Sequence, residues 1–185
     1  FERTRALNLL GVLSAATGDT LKAFNYYYQA LLSDKNTADR RNAAFWETTI
    51  QGNIGYLYKQ QNKLDSSLDH FKKAYDISRK NNLKHNVAFV LDQLGAVHFL
   101  MGDRKSGFEF SRRAKNLCES DHDSRTGAIV YRTIAGYFKE TLQTDSAIYY
   151  AKKGLELAQS IGFKSSEFNN SNLLSELYES SDIKE

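Results

Sequence analysis

The sequence contains no proline and only one cysteine in 185 residues. A lone cysteine excludes an internal disulfide framework and a structural zinc site built from cysteines. No apolar run approaches the roughly 18 residues that a membrane-spanning helix requires, so no membrane contact is expected from this segment. Because proline interrupts helices, a chain without it can be helical nearly from end to end.

The charge of the chain is also modest, with a formal net value of +3. Lysine and arginine are not gathered into a tail, so the composition argues against nucleic-acid binding. The first residues do not resemble a signal peptide, and one free cysteine fits either a reducing or an oxidising compartment, so localisation stays open. A helical pattern already runs at Phe1, which leads us to expect a fragment of a larger protein.

A repeat of about 40 residues runs through the chain. A small residue that follows a bulky one recurs at spacings of 44, 40, 40 and 40 residues, namely Gly11, Gly55, Gly95, Ala135 and Ser175. Twelve residues later stands a second small residue in each of the first four copies: Ala23, Ser67, Gly107 and Ala147. Small residues that recur in phase let neighbouring helices approach closely, so each copy is predicted to be a pair of antiparallel helices.

The turn inside each pair has its own sequence pattern. Gly18 and Gly102 suit the left-handed residue that follows a helix, and an aspartate suits the start of the next helix. The fourth copy has Leu142 where glycine would be expected, so its turn is predicted to be less standard. About nine helices follow from these signals, at 3–16, 20–33, 41–60, 64–80, 84–100, 104–119, 124–140, 145–160 and 166–180.

The recurring positions together resemble the tetratricopeptide repeat, with its bulky-Gly-x-x-Tyr and Ala-x-x-x-Phe-x-x-Ala skeleton. The resemblance implies an all-α fold, a right-handed superhelical solenoid of antiparallel helix pairs that forms a single domain over 1–185. The expected repeats are 3–36, 41–81, 84–121, 124–162 and a partial copy at 165–182. The units depart from the family because they are longer than its usual repeat of about 34 residues. They also lack the proline that commonly closes each unit.

The resemblance also implies where a partner binds. In this family the first helix of each pair lines a concave face that receives a peptide or a protein. The side chains expected on this face include amides for a peptide backbone, charged groups for ion pairs and aromatic anchors. They are Asn8, Asn53, Tyr56, Lys59, Asp92, Gln93, Phe99, Arg132 and Lys139. Small residues at Ala96 and Gly136 would leave a hollow between them.

Signs of catalysis or metal binding are weak. The sequence has no catalytic or phosphate-binding motif of a known type, so we expect no enzyme and no cofactor. Cys118 and His122 stand four residues apart and could share a helical face. Their segment falls where a polar connector is needed, so a buried cysteine followed by a solvated loop is favoured over a metal site.

Two alternatives to peptide binding remain open. Asp92 and Arg132, one repeat apart, could pair with each other across neighbouring helices rather than meet a partner. The chain could also be a structural module that forms homodimers through its C-terminal helix, which carries Leu173, Leu174, Leu177 and Tyr178. The terminal-carboxylate clamp of some family members is not expected, because only Asn53 fits its pattern of lysines, asparagines and arginine.

Overall fold

The computed structural model describes residues 1–33 and 39–182, with side chains described up to residue 180. Its regular elements in these ranges are all α-helices, which confirms the predicted all-α class. They are α1 (Glu2–Ala16), α2 (Thr20–Ser33), α3 (Arg40–Gln60), α4 (Leu64–Lys80), α5 (Lys84–Leu100), α6 (Arg104–Ser120), α7 (Ser124–Glu140), α8 (Thr144–Ser160) and α9 (Lys164–Asp182). Each predicted boundary lies within two residues of the observed one. The end of the first predicted repeat, 34–36, lies outside the described residues.

The chain divides into two compact units, Phe1–Val90 and Leu91–Glu185. We call α1, α3, α5, α7 and α9 the first helices, and α2, α4, α6 and α8 the second helices. Paired helices are antiparallel: in the first unit, Thr4 near the start of α1 bonds Ser33 at the end of α2. A single solenoid over the whole chain remains a prediction.

The length of the repeat follows from the regular alternation of one helix with one short turn. From α4 to α8 every helix has 17 residues, and three residues separate it from the next. Two such helices and two such turns together account for the regular spacing of the small residues. The first spacing is longer than the others because α3 has 21 residues.

A single turn type joins the helices at every connection that lies wholly within the described residues. The middle residue of each described three-residue turn has a positive φ: Gly18 (81°), Asn62 (58°), Asn82 (53°), Gly102 (84°), His122 (54°), Leu142 (58°) and Gly162 (64°). The prediction of a less standard fourth turn was therefore wrong. Leu142 adopts the left-handed conformation despite its side chain, which projects into solvent with 77% of its surface exposed.

Aspartates cap several helix starts, as the sequence indicated. The carboxylates of Asp39, Asp103 and Asp123 accept hydrogen bonds from backbone N–H groups three residues later, each at 3.0 Å. These bonds satisfy donors that the first turn of a helix leaves without a partner.

The recurring small residues form the seam within each pair. In every complete copy, the small residue of the first helix lies against a residue at the same sequence distance on the second helix. A methyl group at Gly11 would overlap the Tyr27 ring, and one at Gly55 would lie 3.2 Å from the Phe71 ring. A methyl group at Gly95 would lie 2.6 Å from Ser111 Oγ. In the fourth copy, Ala135 and Ala151 belong to one buried cluster.

Bulky residues beside the seam form the core. In the first unit, Ile50, Ile54 and Leu57 of α3 pack with residues of α2. In the second unit, Leu174 and Leu177 of α9 pack with small residues of α7 and α8. No helix among the described residues is both long and apolar enough to cross a membrane.

Candidate functional site

The predicted partner-binding residues lie on the first helices, on the side that we call the inner face. In the first unit these residues are Asn8, Asn53, Tyr56 and Lys59. The amide of Asn53 donates a hydrogen bond of 2.8 Å to Oδ1 of Asn8, which joins α3 to α1. Both asparagines are only partly exposed. Part of their hydrogen-bonding capacity therefore links adjacent first helices.

Tyr56 is the most exposed of the predicted residues in the first unit, at 48%. The Nζ atom of Lys59 lies 4.9 Å from the centre of the Tyr56 ring. The two side chains form a cation–π pair one turn apart on α3, with the aromatic ring open to solvent. This arrangement can take an apolar side chain on the ring and an acidic group beside the ammonium.

The second unit buries two of the predicted residues. The Oδ2 atom of Asp92 accepts hydrogen bonds from Thr133 Oγ1 at 3.2 Å and from Gln93 Nε2 at 3.3 Å. Asp92 is fully buried, and Gln93 is 7% exposed. The expectation that both present their side chains on an open face is corrected: α7 lies beside α5 and supplies Thr133 at this position.

Lys139 also bridges two first helices. Its Nζ atom lies 2.6 Å from Oε2 of Glu176, which joins α7 to α9. Like the links from Asn8 to Asn53 and from Asp92 to Thr133, this pair connects residues about one repeat apart. Sequence reasoning missed these connections between repeats, although the repeat period itself was a signal that could have revealed them.

Phe99 is half-buried and packs against Tyr137, with 4.4 Å between the ring centroids. The Arg104 guanidinium lies 5.9 Å from the centre of the Phe99 ring. Burial raises the pKa of the Tyr137 phenol above its ordinary value, and the nearby carboxylate of Asp92 adds to this effect. Phe99 thus belongs to a packed aromatic pair and offers only part of its ring to a partner.

Arg132 differs from the other charged residues of the inner face. Its side chain is half-exposed, and it has no ion pair or hydrogen bond within the part of the chain that the structure describes. The predicted alternative of a pair with Asp92 is therefore not observed. One turn along α7, a methyl group at Gly136 would meet no atom within 4 Å. Among the residues that the structure describes, Arg132 thus has neither an ion pair nor a hydrogen bond, and one turn further along α7 the backbone at Gly136 is open.

The segment around Cys118 has no metal-site geometry. Cys118 is buried at the end of α6, and burial raises the pKa of its thiol to about 12. His122 is the exposed left-handed residue of the next turn. Among the described residues, no group of three or more His, Cys, Asp or Glu side chains could hold a metal ion.

Comparison with known proteins identifies the repeat. A profile of the tetratricopeptide repeat family matches residues 48–81, which include most of α3 and all of α4. Residues 48–81 form a tetratricopeptide repeat. The match confirms the resemblance on which the inner face was predicted. No curated protein sequence matches the chain.

Solved structures extend the likeness beyond this tetratricopeptide repeat. Aspartyl phosphate phosphatase F from Bacillus subtilis aligns with a TM-score of 0.76 and 16% identity, over 99% of this chain and 48% of that protein. The apo form of RapI aligns with a TM-score of 0.71 and 16% identity, over 86% and 43%. BtubC from P. vanneervenii aligns with a TM-score of 0.70 and 18% identity, over 95% and 72%.

These likenesses show the fold alone, because the identities are low. RapI and phosphatase F are tetratricopeptide-like helical repeat proteins, and this chain spans less than half the length of each. Proteins with this fold typically make protein–protein interactions. The chain therefore has a tetratricopeptide-like helical repeat fold.

Proposed function

We propose that the chain is a non-enzymatic module that binds a peptide or protein segment on the inner face of its first helices. The observation that carries the proposal is Arg132, an accessible guanidinium without an ion pair or hydrogen bond within the described residues. A cation in this state can bind a carboxylate in bidentate fashion without first breaking an ion pair.

The glycine beside Arg132 supports the same proposal. A glycine inside a helix costs about 1 kcal/mol relative to alanine. At Gly95 close packing of the helices explains this cost, whereas at Gly136 a methyl group would meet nothing. Open space there lets the backbone of a ligand approach α7, with one of its acidic side chains at Arg132. In the first unit, Tyr56 and Lys59 offer an aromatic ring and a cation of the same kind.

The biological setting is a further part of the proposal. An aspartyl phosphate phosphatase is among the proteins with this fold, and the chain spans under half of its length. This supports a role as the sensing or assembly segment of a longer regulatory or signalling protein. Affinity would come from a few anchors rather than from the total contact area.

The test selects ligands from a phage-displayed library of short random peptides. The affinity of the selected peptides is then measured by calorimetry. Selected peptides should contain an acidic residue, and Arg132→Gln should weaken their binding by about tenfold or more. Tyr56→Ala should weaken the binding of those peptides that contact the first unit. Arg113→Gln, on a second helix, is the matched control and should leave affinity unchanged. Failure to select any peptide, or equal affinity for Arg132→Gln and wild type, would contradict the proposal.

Homodimer formation through α9 is a second candidate. Leu174 and Leu177 are buried within the second unit, but Phe168 is 66% exposed and Tyr178 is 42% exposed on the same helix. These two rings favour an interface that α9 could share with a second copy. Light scattering decides: a concentration-dependent dimer that Phe168→Ser abolishes supports this candidate, and a strict monomer at high concentration removes it.

A further inference from the structure

The first unit contains a cavity of about 700 Å³ at one end of its first helices. The start of α3 lines one side of the cavity. The turn after α4 and the first turn of α5 line the other side. All of the lining residues belong to the first unit, and none of them is among the predicted partner-binding residues. A cavity of this size suits a whole small molecule, which single side chains of a partner would fill only in part.

An aromatic ring and a leucine form the apolar part of the lining. Phe45 of α3 is 39% exposed, and its ring is in edge contact with that of Trp46, with 5.3 Å between the centroids. Leu83, in the turn before α5, lies on the other side. A planar group inside the cavity can therefore stack on the Phe45 ring and also make apolar contact with Leu83.

The charged part of the lining is mainly positive. Arg41 precedes Phe45 by one helical turn, so the two side chains are neighbours on α3. It is exposed and has no ion pair or hydrogen bond within the part of the chain that is described. Lys84 adds a second cation from α5. Of the lining residues only Asp39 is acidic, and its carboxylate accepts a hydrogen bond of 3.0 Å from the backbone N–H of Asn42.

The second unit shows what the same register holds two repeats later. The register of Phe45 holds Arg125, and that of Leu83 holds a ring, Phe163. The Arg125 guanidinium lies 4.0 Å from the centre of the Phe163 ring, so the chain itself supplies a planar cation that covers the ring. In the first unit both positions are apolar and face the cavity, so a planar group on the Phe45 ring has to come from outside.

We propose that this cavity binds a small phosphate ester of a planar ring, with a nucleotide as the representative of the class. The ring stacks on Phe45, and the phosphate binds Arg41 and Lys84. A phosphate suits two cations on different helices because it carries about two negative charges and three acceptor oxygens. The amides of Asn42 and Asn86, one on each side, provide donors and acceptors for polar atoms of the ring. The site lies outside the predicted partner-binding residues and does not rest on the proposed function.

The test titrates the whole chain with AMP and with phenyl phosphate and measures affinity by isothermal titration calorimetry. At least one of the two should bind with a dissociation constant below about 1 mM. Trp46 is the only tryptophan of the sequence and contacts Phe45, so its fluorescence should change as the cavity fills. Adenosine and ribose 5-phosphate each supply one half of AMP, and each should bind at least about tenfold more weakly than AMP.

Substitutions in the lining separate the contributions of the ring and the charge. Phe45→Ser removes the stacking surface, and Arg41→Gln removes the cation; each should weaken binding by about tenfold. Asn86→Asp keeps the size of the side chain but adds a negative charge, and it should weaken binding as well. Arg40→Gln is the matched control, because Arg40 is an exposed neighbour that does not line the cavity, and it should leave affinity unchanged. Circular dichroism checks that Phe45→Ser is folded, and the exposed Arg41→Gln decides if it is not.

Three results would overturn the proposal. One is a dissociation constant above about 1 mM for both phosphate esters. Another is a loss of affinity with Arg40→Gln as large as that with Arg41→Gln, which would show a general attraction of anions to α3. The third is adenosine or ribose 5-phosphate binding as tightly as AMP, because the site would then not recognise a ring and a phosphate together.

Discussion

The two units build the same seam from side chains of different size. In the first unit a glycine accepts an aromatic ring, with Gly11 against Tyr27 and Gly55 against Phe71. In the second unit small residues face small residues, and a methyl group at Gly95 would lie 2.6 Å from Oγ of Ser111. The sequence distance between the facing residues is the same in both units, whereas the size of the side chain on the second helix differs.

This difference shows that close packing at the seam depends on the combined size of the two facing residues and not on a fixed residue type. Where the first helix has glycine, the second helix can carry a ring that supplies buried apolar surface. Where both residues are small, the helix backbones themselves approach and bulky residues on either side supply the core. The two units should therefore respond differently to substitution at the same register.

The largest expected effect on stability is at the position of the second helix that faces the glycine, which is Phe71 in the first unit and Ser111 in the second. Phe71→Ala should lower the free energy of unfolding by about 3–5 kcal/mol, because the fully buried ring leaves a cavity against Gly55. At the same register of the second unit, Ser111→Ala removes only a 3.4 Å hydrogen bond that Ser111 donates to the Tyr137 hydroxyl, a loss of about 1 kcal/mol. Urea unfolding followed by circular dichroism measures both. Equal losses would show that the two seams are not filled differently.

An intermediate effect comes from an attempt to convert one seam into the other. Ala151→Phe should destabilise the second unit by about 1–3 kcal/mol, because Ala135 and Ala151 are both fully buried and leave no room for a ring. Adding Ala135→Gly should recover part of this loss. A double-mutant cycle on urea unfolding gives the coupling. A coupling of zero would mean that Ala135 does not face residue 151.

The smallest effect concerns pH and distinguishes His70 from Phe110, the residue in the same register of the second unit. His70 Nδ1 donates a hydrogen bond of 2.7 Å to Gln51 Oε1. Burial is the main cause that lowers the pKa of His70, followed by repulsion from Lys73, while Asp69 opposes the shift. The unfolded chain then binds the proton more readily. The contribution of His70 to stability is present above its unfolded pKa and is lost as the pH falls below it.

The measurement is an NMR titration of His70, together with urea midpoints at mildly acidic and mildly basic pH for wild type and His70→Phe. The phenylalanine variant should lose less stability on acidification than the wild type. An imidazole that titrates above the ordinary histidine pKa would contradict this prediction.

The helices and the seam could be predicted from the sequence because small residues recur in phase, and one period decides both helix pairing and helix length. The left-handed Leu142 could not be predicted, since the regular alternation of helix and turn outweighs the preference of that turn for glycine. The burial of Asp92 was missed because it depends on α7, and a pattern within one helix does not reveal its neighbour. The exposed face of α1 was visible in the register of Leu10 and Leu13, but only the structure shows that no described helix covers it.

The most direct test of the seam compares Gly95→Ala on α5 with Gly136→Ala on α7, by urea unfolding of the whole chain. A methyl group at Gly95 meets the α6 backbone, so this substitution should lower the free energy of unfolding by about 1–3 kcal/mol. A methyl group at Gly136 meets open space, so this one should raise it by about 0.5–1 kcal/mol through helix propensity. Changes of opposite sign are expected. Stabilisation by Gly95→Ala, or equal changes at both positions, would contradict the close approach of the paired helices.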